Sequence, residues 1–318
     1  MPATGQGYVP AGVESSSIAR SFATQPPAES APPAVVDGRL LIATTRTSSR
    51  PHSDLPSDYR LAWWDSRGLQ PLELPGEDGG ILDAAAQPGG RALIVIVGGT
   101  TLIRAADDGS NPVDLLPTLR GARPGDVQAY LSVGWAGPDR LLVRQTPPAG
   151  ISFVDPSGQS RSRVAVNGLN PAVTRDGQHI ALGYAGGRSY YSIFVADEPF
   201  VDVRKLTNDE VLEALPAWSF DGAWLAYTAQ VRAQAGSPPG WAVRIVRSSG
   251  ADEQTILVGQ FGMSYSSLQW SPDGLRIAFT RYDEATHTRQ IGVINRDGSD
   301  MALIGDGAAS DRVLDWIP

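Results

Sequence analysis

Short runs of hydrophobic residues alternate with turns rich in glycine and aspartate from residue 35 onward. The two clearest copies of this pattern read WSFDGAWLAY at 218–227 and WSPDGLRIAF at 270–279. Weaker copies begin at Ala86, Trp135 and Val173. The Asp-Gly or Gly-Gly pair supplies the positive φ angle of a tight turn, and the flanking hydrophobic runs are the two strands that it joins. Each copy therefore predicts a hairpin.

A second turn follows each hairpin and is itself followed by a short hydrophobic strand. It occurs six times, at 63–68, 105–110, 153–158, 195–200, 247–252 and 295–300. The repeating unit is strand, turn, strand, loop, strand, turn, strand, which describes a four-stranded antiparallel blade. The copies recur with a mean period of about 46 residues, which matches four strands and their connections. Residues 35–318 are thus predicted to form six blades.

The first and last copies are each incomplete, and they complement one another. The chain stops at Trp316-Ile317-Pro318, midway through a copy, whereas 36–43 hold a turn and a second strand with no first strand before them. We predict that residues 312–318 form the innermost strand of the blade that begins near residue 37. The predicted fold class is all-β: one six-bladed β-propeller of four-stranded antiparallel blades, whose ring is closed by the C-terminal strand and leaves no open sheet edge.

Residues 1–34 differ in composition from the rest of the chain, because Pro, Ala, Ser and Gly make up 21 of these 34 residues. With few large hydrophobic side chains to bury, they are predicted to form a disordered linker. We expect a tether to an anchor or another domain, with a terminus of no function as the alternative. Met1 is followed by no signal-peptide pattern, and the longest hydrophobic run, 92–97, is too short to span a membrane.

Charge and cysteine content exclude several function classes. The 318-residue chain has a net charge of −8, and its basic residues are scattered rather than clustered. Nucleic-acid binding is therefore not expected. The chain contains no cysteine, which excludes disulfides, thiolate nucleophiles and cysteine-ligated metals.

The segments KLTNDEVLEALPAWSFDGAWLAYTA (205–229) and LQWSPDGLRIAFTR (268–281) resemble the repeats of TolB-like six-bladed β-propellers. Similar repeats occur in LpqB-type lipoproteins and in the propeller of prolyl-oligopeptidase-type peptidases. The resemblance covers residues 35–318 and implies a bacterial, extracytoplasmic (periplasmic or cell-surface) protein that binds a protein partner. TolB itself carries an α/β domain before its propeller, where this sequence has residues 1–34, so the resemblance does not imply the Pal-type partnership of that family.

Recognisable catalytic chemistry is missing from the sequence. The motifs G-x-S-x-G, G-x-x-x-x-G-K-[ST], H-E-x-x-H and G-x-G-x-x-G do not occur. His52 and His287 are predicted to lie in loops on one face of the propeller and His179 at the opposite end, so the three histidines do not converge on a metal. We interpret the Asp-Gly runs at 107–111 and 295–300 as turns rather than calcium sites. No catalytic residue, metal or cofactor is expected.

Four tryptophans, Trp135, Trp218, Trp270 and Trp316, recur at one position of the repeat. A row of sugar-stacking rings is one interpretation. Recurrence at the same place in every blade favours the other, in which each ring packs between adjacent blades.

The long loops between the second and third strands are the predicted binding site, because in a propeller they gather on one face around the channel mouth. They combine arginine with tyrosine or tryptophan, which are enriched in binding hot spots. The predicted partner- or ligand-binding residues are Arg46, Tyr59, Arg144, Arg188, Tyr190, Arg232, Trp241, Arg281 and Tyr282. The five arginines come from five blades and predict a basic mouth that binds an anionic group. Ordinary surface arginines are the alternative.

These observations favour a non-catalytic, TolB-like protein-interaction platform in the cell envelope. A small-ligand or carbohydrate-binding domain that uses the channel mouth is the alternative. A metal-dependent lyase or hydrolase is the third hypothesis.

Overall fold

A computed structural model describes residues 38–45, 59–74, 80–115, 129–146, 150–158, 161–166, 168–184, 191–207, 211–231, 240–304 and 310–318. In these ranges the chain forms 24 β-strands and no helix, and hence no helix that could cross a membrane. The strands make six four-stranded antiparallel sheets, so the predicted all-β fold is confirmed. The predicted linker, 1–34, lies outside the described residues.

The strands are numbered β1 to β24 along the chain, and each sheet is one blade, with its strands ordered from the innermost outward. Blade I contains β24 (Asp311–Ile317), β1 (Arg39–Thr44), β2 (Arg60–Asp65) and β3 (Gly68–Pro71). Blade II contains β4 (Ile81–Ala86), β5 (Ala92–Val97), β6 (Thr101–Ala106) and β7 (Val113–Asp114). Blade III contains β8 (Ala129–Trp135), β9 (Leu141–Thr146), β10 (Gly150–Val154) and β11 (Arg161–Arg163). Blade IV contains β12 (Leu169–Val173), β13 (His179–Tyr184), β14 (Ser192–Asp197) and β15 (Arg204–Lys205). Blade V contains β16 (Glu213–Trp218), β17 (Trp224–Val231), β18 (Gly240–Arg247) and β19 (Gln254–Val258). Blade VI contains β20 (Met263–Trp270), β21 (Arg276–Asp283), β22 (Thr288–Asn295) and β23 (Ala302–Ile304).

The six innermost strands contact one another in ring order around a central channel. Because the strands of a blade are antiparallel, every inner strand begins on one face of the ring and ends on the other. We call the face where the inner strands begin the loop face; it carries the connections from second to third strand and from blade to blade. The opposite, turn face carries the hairpins between first and second strands and between third and fourth strands.

The ring closes through β24, as predicted. This strand pairs with β1 from Arg39 opposite Ile317 to Thr44 opposite Asp311. The Thr44 hydroxyl donates a buried hydrogen bond of 2.6 Å to the Asp311 carboxylate. Trp316 is fully buried in a cluster formed by blades VI and I, so the closing strand is packed on its faces as well as paired at its edge.

The WSPDG-type turns repeat one network of hydrogen bonds. In blade V, Ser219 Oγ donates to Asp221 Oδ1 over 2.6 Å and accepts from the Trp224 amide over 2.9 Å. Gly222 follows at φ 67°, a left-handed conformation that costs glycine little. The equivalent turns of blades IV and VI contain the same bonds. The Asp-Gly pairs thus form the hairpin turns that the sequence predicts.

The recurrent tryptophans pack between blades, which confirms the second interpretation. The indole N–H groups of Trp135 and Trp270 donate to a main-chain carbonyl of the preceding blade over 3.1 and 3.0 Å, respectively. Trp218 and Trp316 pack in the corresponding hydrophobic clusters of their own blade boundaries. Each ring therefore contributes hydrophobic burial across a boundary rather than an open stacking surface.

Candidate functional site

Five of the nine predicted site residues are described by the structure, and all five lie in the loop-face half of their blades. They are Tyr59, Arg144, Trp241, Arg281 and Tyr282. The other four, Arg46, Arg188, Tyr190 and Arg232, lie outside the described residues. Because three of the five arginines are among those four, the basic mouth stays a prediction. Arg144 is half-buried on β9, opposite Ser132 of β8.

Trp241 and Arg281 both lie at the boundary between blades V and VI. Trp241 packs against the hydrophobic cluster that contains Tyr265. Arg281 lies opposite Tyr265 in the strand pair and donates a hydrogen bond to Gln290. Trp241 thus lies in blade V against the cluster that contains Tyr265, and Arg281 lies in blade VI opposite Tyr265.

Tyr282 and Tyr59 differ in exposure. The Tyr282 hydroxyl lies 2.9 Å from His287 Nδ1, and the Arg289 guanidinium lies 4.7 Å from its ring. Tyr59, by contrast, is only 3% exposed, with the Arg312 guanidinium 4.9 Å over its ring. Hydrophobic burial and the cation–π contact hold this ring inside the propeller, so Tyr59 presents no free aromatic face to a partner.

The loop face also carries exposed hydrophobic side chains that sequence analysis missed. Phe261 is 71% exposed in the connection between blades V and VI, beside Val258, which is 60% exposed at the end of β19. Tyr184 and Leu131 add 40% and 36% exposed side chains in blades IV and III. The sequence contains one indication of this exposed surface. The segment GQFGM at 259–263 places a large hydrophobic residue between two glycines, where no strand pattern requires one.

A cavity of about 200 Å³ occupies the turn-face end of the central channel. All six inner strands contribute to its walls, together with the hairpin residues Arg175 and Phe220. Its polar side chains are Asp83, Ser132, Arg175, Gln269 and Asp315, and its aromatic ones are Trp135, Trp218, Phe220 and Trp270. Polar groups beside hydrophobic and aromatic side chains in one concave wall are typical of ligand sites.

Arg175 bridges the turn-face mouth of this cavity. It belongs to the hairpin of blade IV, yet it donates to the Asp315 carboxylate over 2.9 Å and to the Trp316 carbonyl over 3.1 Å, both in the opposite blade I. Its guanidinium carbon lies 3.9 Å from the ring centroid of Phe220. The cation is thus held by a carboxylate on one side and an aromatic face on the other, across the width of the channel.

Asp83 is the second carboxylate of the cavity. Its oxygens accept hydrogen bonds from the main-chain amides of Ala84 and Val133, each of 3.0 Å. Burial raises the pKa of Asp83 to about 6, and the hydrogen bond from the Val133 amide and the charge of Arg312 oppose that rise only in part. Within the described part of the chain, Asp83 makes no ion pair. A carboxylate in this setting is half protonated near pH 6.

Irregularities of the inner strands position these groups. Each inner strand has one register shift in its pairing with the second strand of its blade. In blade II the shift lies between Ile81 and Asp83, and in blade I it lies next to Asp315. In blades IV to VI the irregular segment contains a non-glycine residue at positive φ, namely Asn170 at 49°, Leu215 at 55° and Ser267 at 51°. Bulges of this kind re-aim side chains, here towards the channel.

The histidines do not form a metal centre in the described part of the chain, which holds no group of three or more His, Cys, Asp or Glu side chains arranged around one point. His179 begins β13 on the turn face, with Nδ1 2.7 Å from Asp197, and His287 lies in a loop-face turn. These two lie on opposite faces, as predicted, and His52 lies outside the described residues.

No protein-family model and no curated protein matches the chain, but solved structures match its fold. TolB from Acinetobacter baumannii is 16% identical and matches over 87% of this chain and 67% of that chain, with a TM-score of 0.65. The putative TolB from Agrobacterium tumefaciens is 14% identical, with coverage of 90% and 99% and a TM-score of 0.58. An oligogalacturonate lyase in complex with manganese is 13% identical, with coverage of 84% and 74% and a TM-score of 0.55. At these identities the similarity shows the fold alone.

Proposed function

We propose that this chain, whose fold is that of the TolB-like six-bladed β-propellers, is a non-catalytic platform that binds a protein partner on its loop face. The observation that carries the proposal is the pair Phe261 and Val258, which are 71% and 60% exposed at the boundary between blades V and VI, where Trp241 and Arg281 also lie. Exposed aromatic and hydrophobic side chains next to arginine are typical of interaction hot spots.

The chemistry of these side chains supports a non-catalytic role for this surface. Phenylalanine, valine and tryptophan do not transfer protons at neutral pH, and arginine stays protonated. They supply hydrophobic contact and hydrogen-bond donors, which serve recognition. The fold by itself decides nothing here, because one of the matched structures is a lyase and one fold hosts many functions. An extracytoplasmic location is part of the proposal and rests on the resemblance of the repeats to those of TolB-like and LpqB-type proteins.

The test exchanges one exposed hydrophobic residue on each face. Phe261→Ser changes the loop face, and Leu275→Ser, at a position 56% exposed in a hairpin of the turn face, is the matched control. The immobilised proteins are used to capture partners from an envelope extract of the source cells, and bound proteins are identified by mass spectrometry. We expect wild type and Leu275→Ser to retain the same partner and Phe261→Ser to lose it. Equal capture by both variants, or no specific capture by wild type, would overturn the proposal.

A second candidate function is the binding of a small molecule inside the channel. The cavity of about 200 Å³ favours it, because hydrophobic and aromatic side chains line it together with several polar groups. This site lies at the turn-face end of the channel and shares no described residue with the loop-face surface.

A further inference from the structure

The charges of the cavity wall are unevenly paired. Its side chains include two carboxylates, Asp83 and Asp315, and one guanidinium, Arg175. Arg175 forms an ion pair with Asp315. Among the described residues, the oxygens of Asp83 accept hydrogen bonds only from main-chain amides. The cation that acts on the pKa of Asp83 is Arg312, which does not line the cavity. Carboxylates shielded from bulk solvent are usually paired with a cation, so the half-buried Asp83 is one negative charge of the cavity without a partner inside it.

The walls next to these carboxylates suit an organic cation. Trp218 and Phe220 line the cavity, and an ammonium group is attracted to aromatic side chains; the Phe220 ring already carries the Arg175 guanidinium, so Trp218 is the aromatic residue left for a ligand. Gln269 donates through Nε2 to the Leu314 carbonyl over 2.7 Å, which leaves its Oε1 as an acceptor. The cavity volume of about 200 Å³ is enough for a ligand of several heavy atoms.

Arg175 shows that this chemistry already holds a cation at the cavity mouth. Its guanidinium lies between the Asp315 carboxylate, at 2.9 Å, and the Phe220 ring, at 3.9 Å. Asp83 and Trp218 provide the same two groups, a carboxylate and an aromatic ring, in the wall of the same cavity. The cation that is already bound and the unpaired carboxylate therefore both indicate a cationic ligand.

We propose that this cavity binds a small organic cation, a primary ammonium compound, with Asp83 as its counter-ion. The proposal rests on the second candidate function and is independent of the loop-face role. A divalent metal ion fits less well, because calcium and magnesium take six or more oxygen ligands and the described residues provide no cluster of three metal-binding side chains here.

The test measures binding of n-butylammonium to the full chain by ligand-observed NMR, with n-butanol as the uncharged analogue and calcium chloride as the metal. We expect saturable binding of n-butylammonium and none of n-butanol. Asp83→Asn should weaken binding at least about tenfold, as expected for a lost charge partner. Asp202→Asn, at an exposed turn-face position, is the matched control and should leave binding unchanged. Equal binding to both variants, or binding of n-butanol, would overturn the proposal.

A second measurement on wild type does not depend on the folding of a variant. Protonation of Asp83 removes its charge, so affinity for n-butylammonium should fall about tenfold between pH 7 and pH 5. Asp315 and Arg312 are the other charged groups near Asp83, and Asp315 is already paired with Arg175. A pH-independent affinity, no binding at all, or calcium binding that excludes n-butylammonium would each overturn the assignment. Capture of a protein partner through Phe261 would be unaffected in every case.

Discussion

Replacement of Asp83 by asparagine should remove a pH-dependent penalty on folding. Burial raises the pKa of Asp83 from 3.8 to about 6, a shift of about two units, and each unit corresponds to about 1.4 kcal/mol. The folded protein therefore binds this proton more tightly than the unfolded chain does. The stabilising effect of the protonated form is complete below the unfolded pKa and is lost as the pH rises through about 6. The full effect is about 3 kcal/mol, of which about 2 kcal/mol falls between pH 4.5 and 7.5.

The assay is urea unfolding of wild type and Asp83→Asn at about pH 4.5 and about pH 7.5. Asparagine has the same size, but its amide group faces the Ala84 and Val133 amides with one acceptor oxygen instead of two. That mismatch destabilises the variant by an amount that does not change with pH. The free-energy difference between wild type and variant should therefore shift by about 2 kcal/mol in favour of the variant at the higher pH. A difference that stays constant across the two pH values would refute the reasoning.

Three further predictions concern the propeller itself. Deletion of residues 312–318 opens the ring, so thermal unfolding should become broader and occur at lower temperature; a truncated protein that melts as sharply and as late as wild type would contradict the closure. Trp270→Phe should lower the free energy of urea unfolding by about 1–3 kcal/mol, because a buried carbonyl loses its donor. Trp218→Phe should lower it less, because the Trp218 indole nitrogen has no hydrogen-bond partner among the described residues. Equal losses in the two variants would argue against this. Gly292→Ala would place a methyl group 2.3 Å from the Phe279 ring, so the melting temperature should fall. A melting temperature equal to that of wild type would show instead that the ring moves aside freely.

The blades and their closure were predictable because their signals are local and repeated. Each turn is specified by residues within a few positions of one another, as Ser219, Asp221 and Gly222 illustrate. The closing strand was predictable because Trp316 begins a copy that the chain does not finish. The position of the tryptophans between blades followed from their recurrence, which only a repeated structural environment explains.

The cavity was not predictable, because its contacts join distant positions. Arg175 occupies the turn position that holds Phe220 and Pro272 in other blades, and its partner Asp315 is 140 residues away. No local pattern marks either residue as half of an ion pair. Tyr59 illustrates the opposite difficulty: it follows a long polar loop in the sequence, but it is buried against Arg312, which lies at the far end of the chain.

Closure of the ring by β24 also fixes how the protein can be attached to something else. Gly38, the first described residue, lies so close to the C-terminal strand that a β-carbon there would be 2.2 Å from the Ile317 carbonyl oxygen. Gly38 and the end of the C-terminal strand thus lie side by side on the turn face. A fusion, a tag or a surface joined directly at Gly38 or at Pro318 is therefore joined from that side, and Phe261 lies on the opposite face.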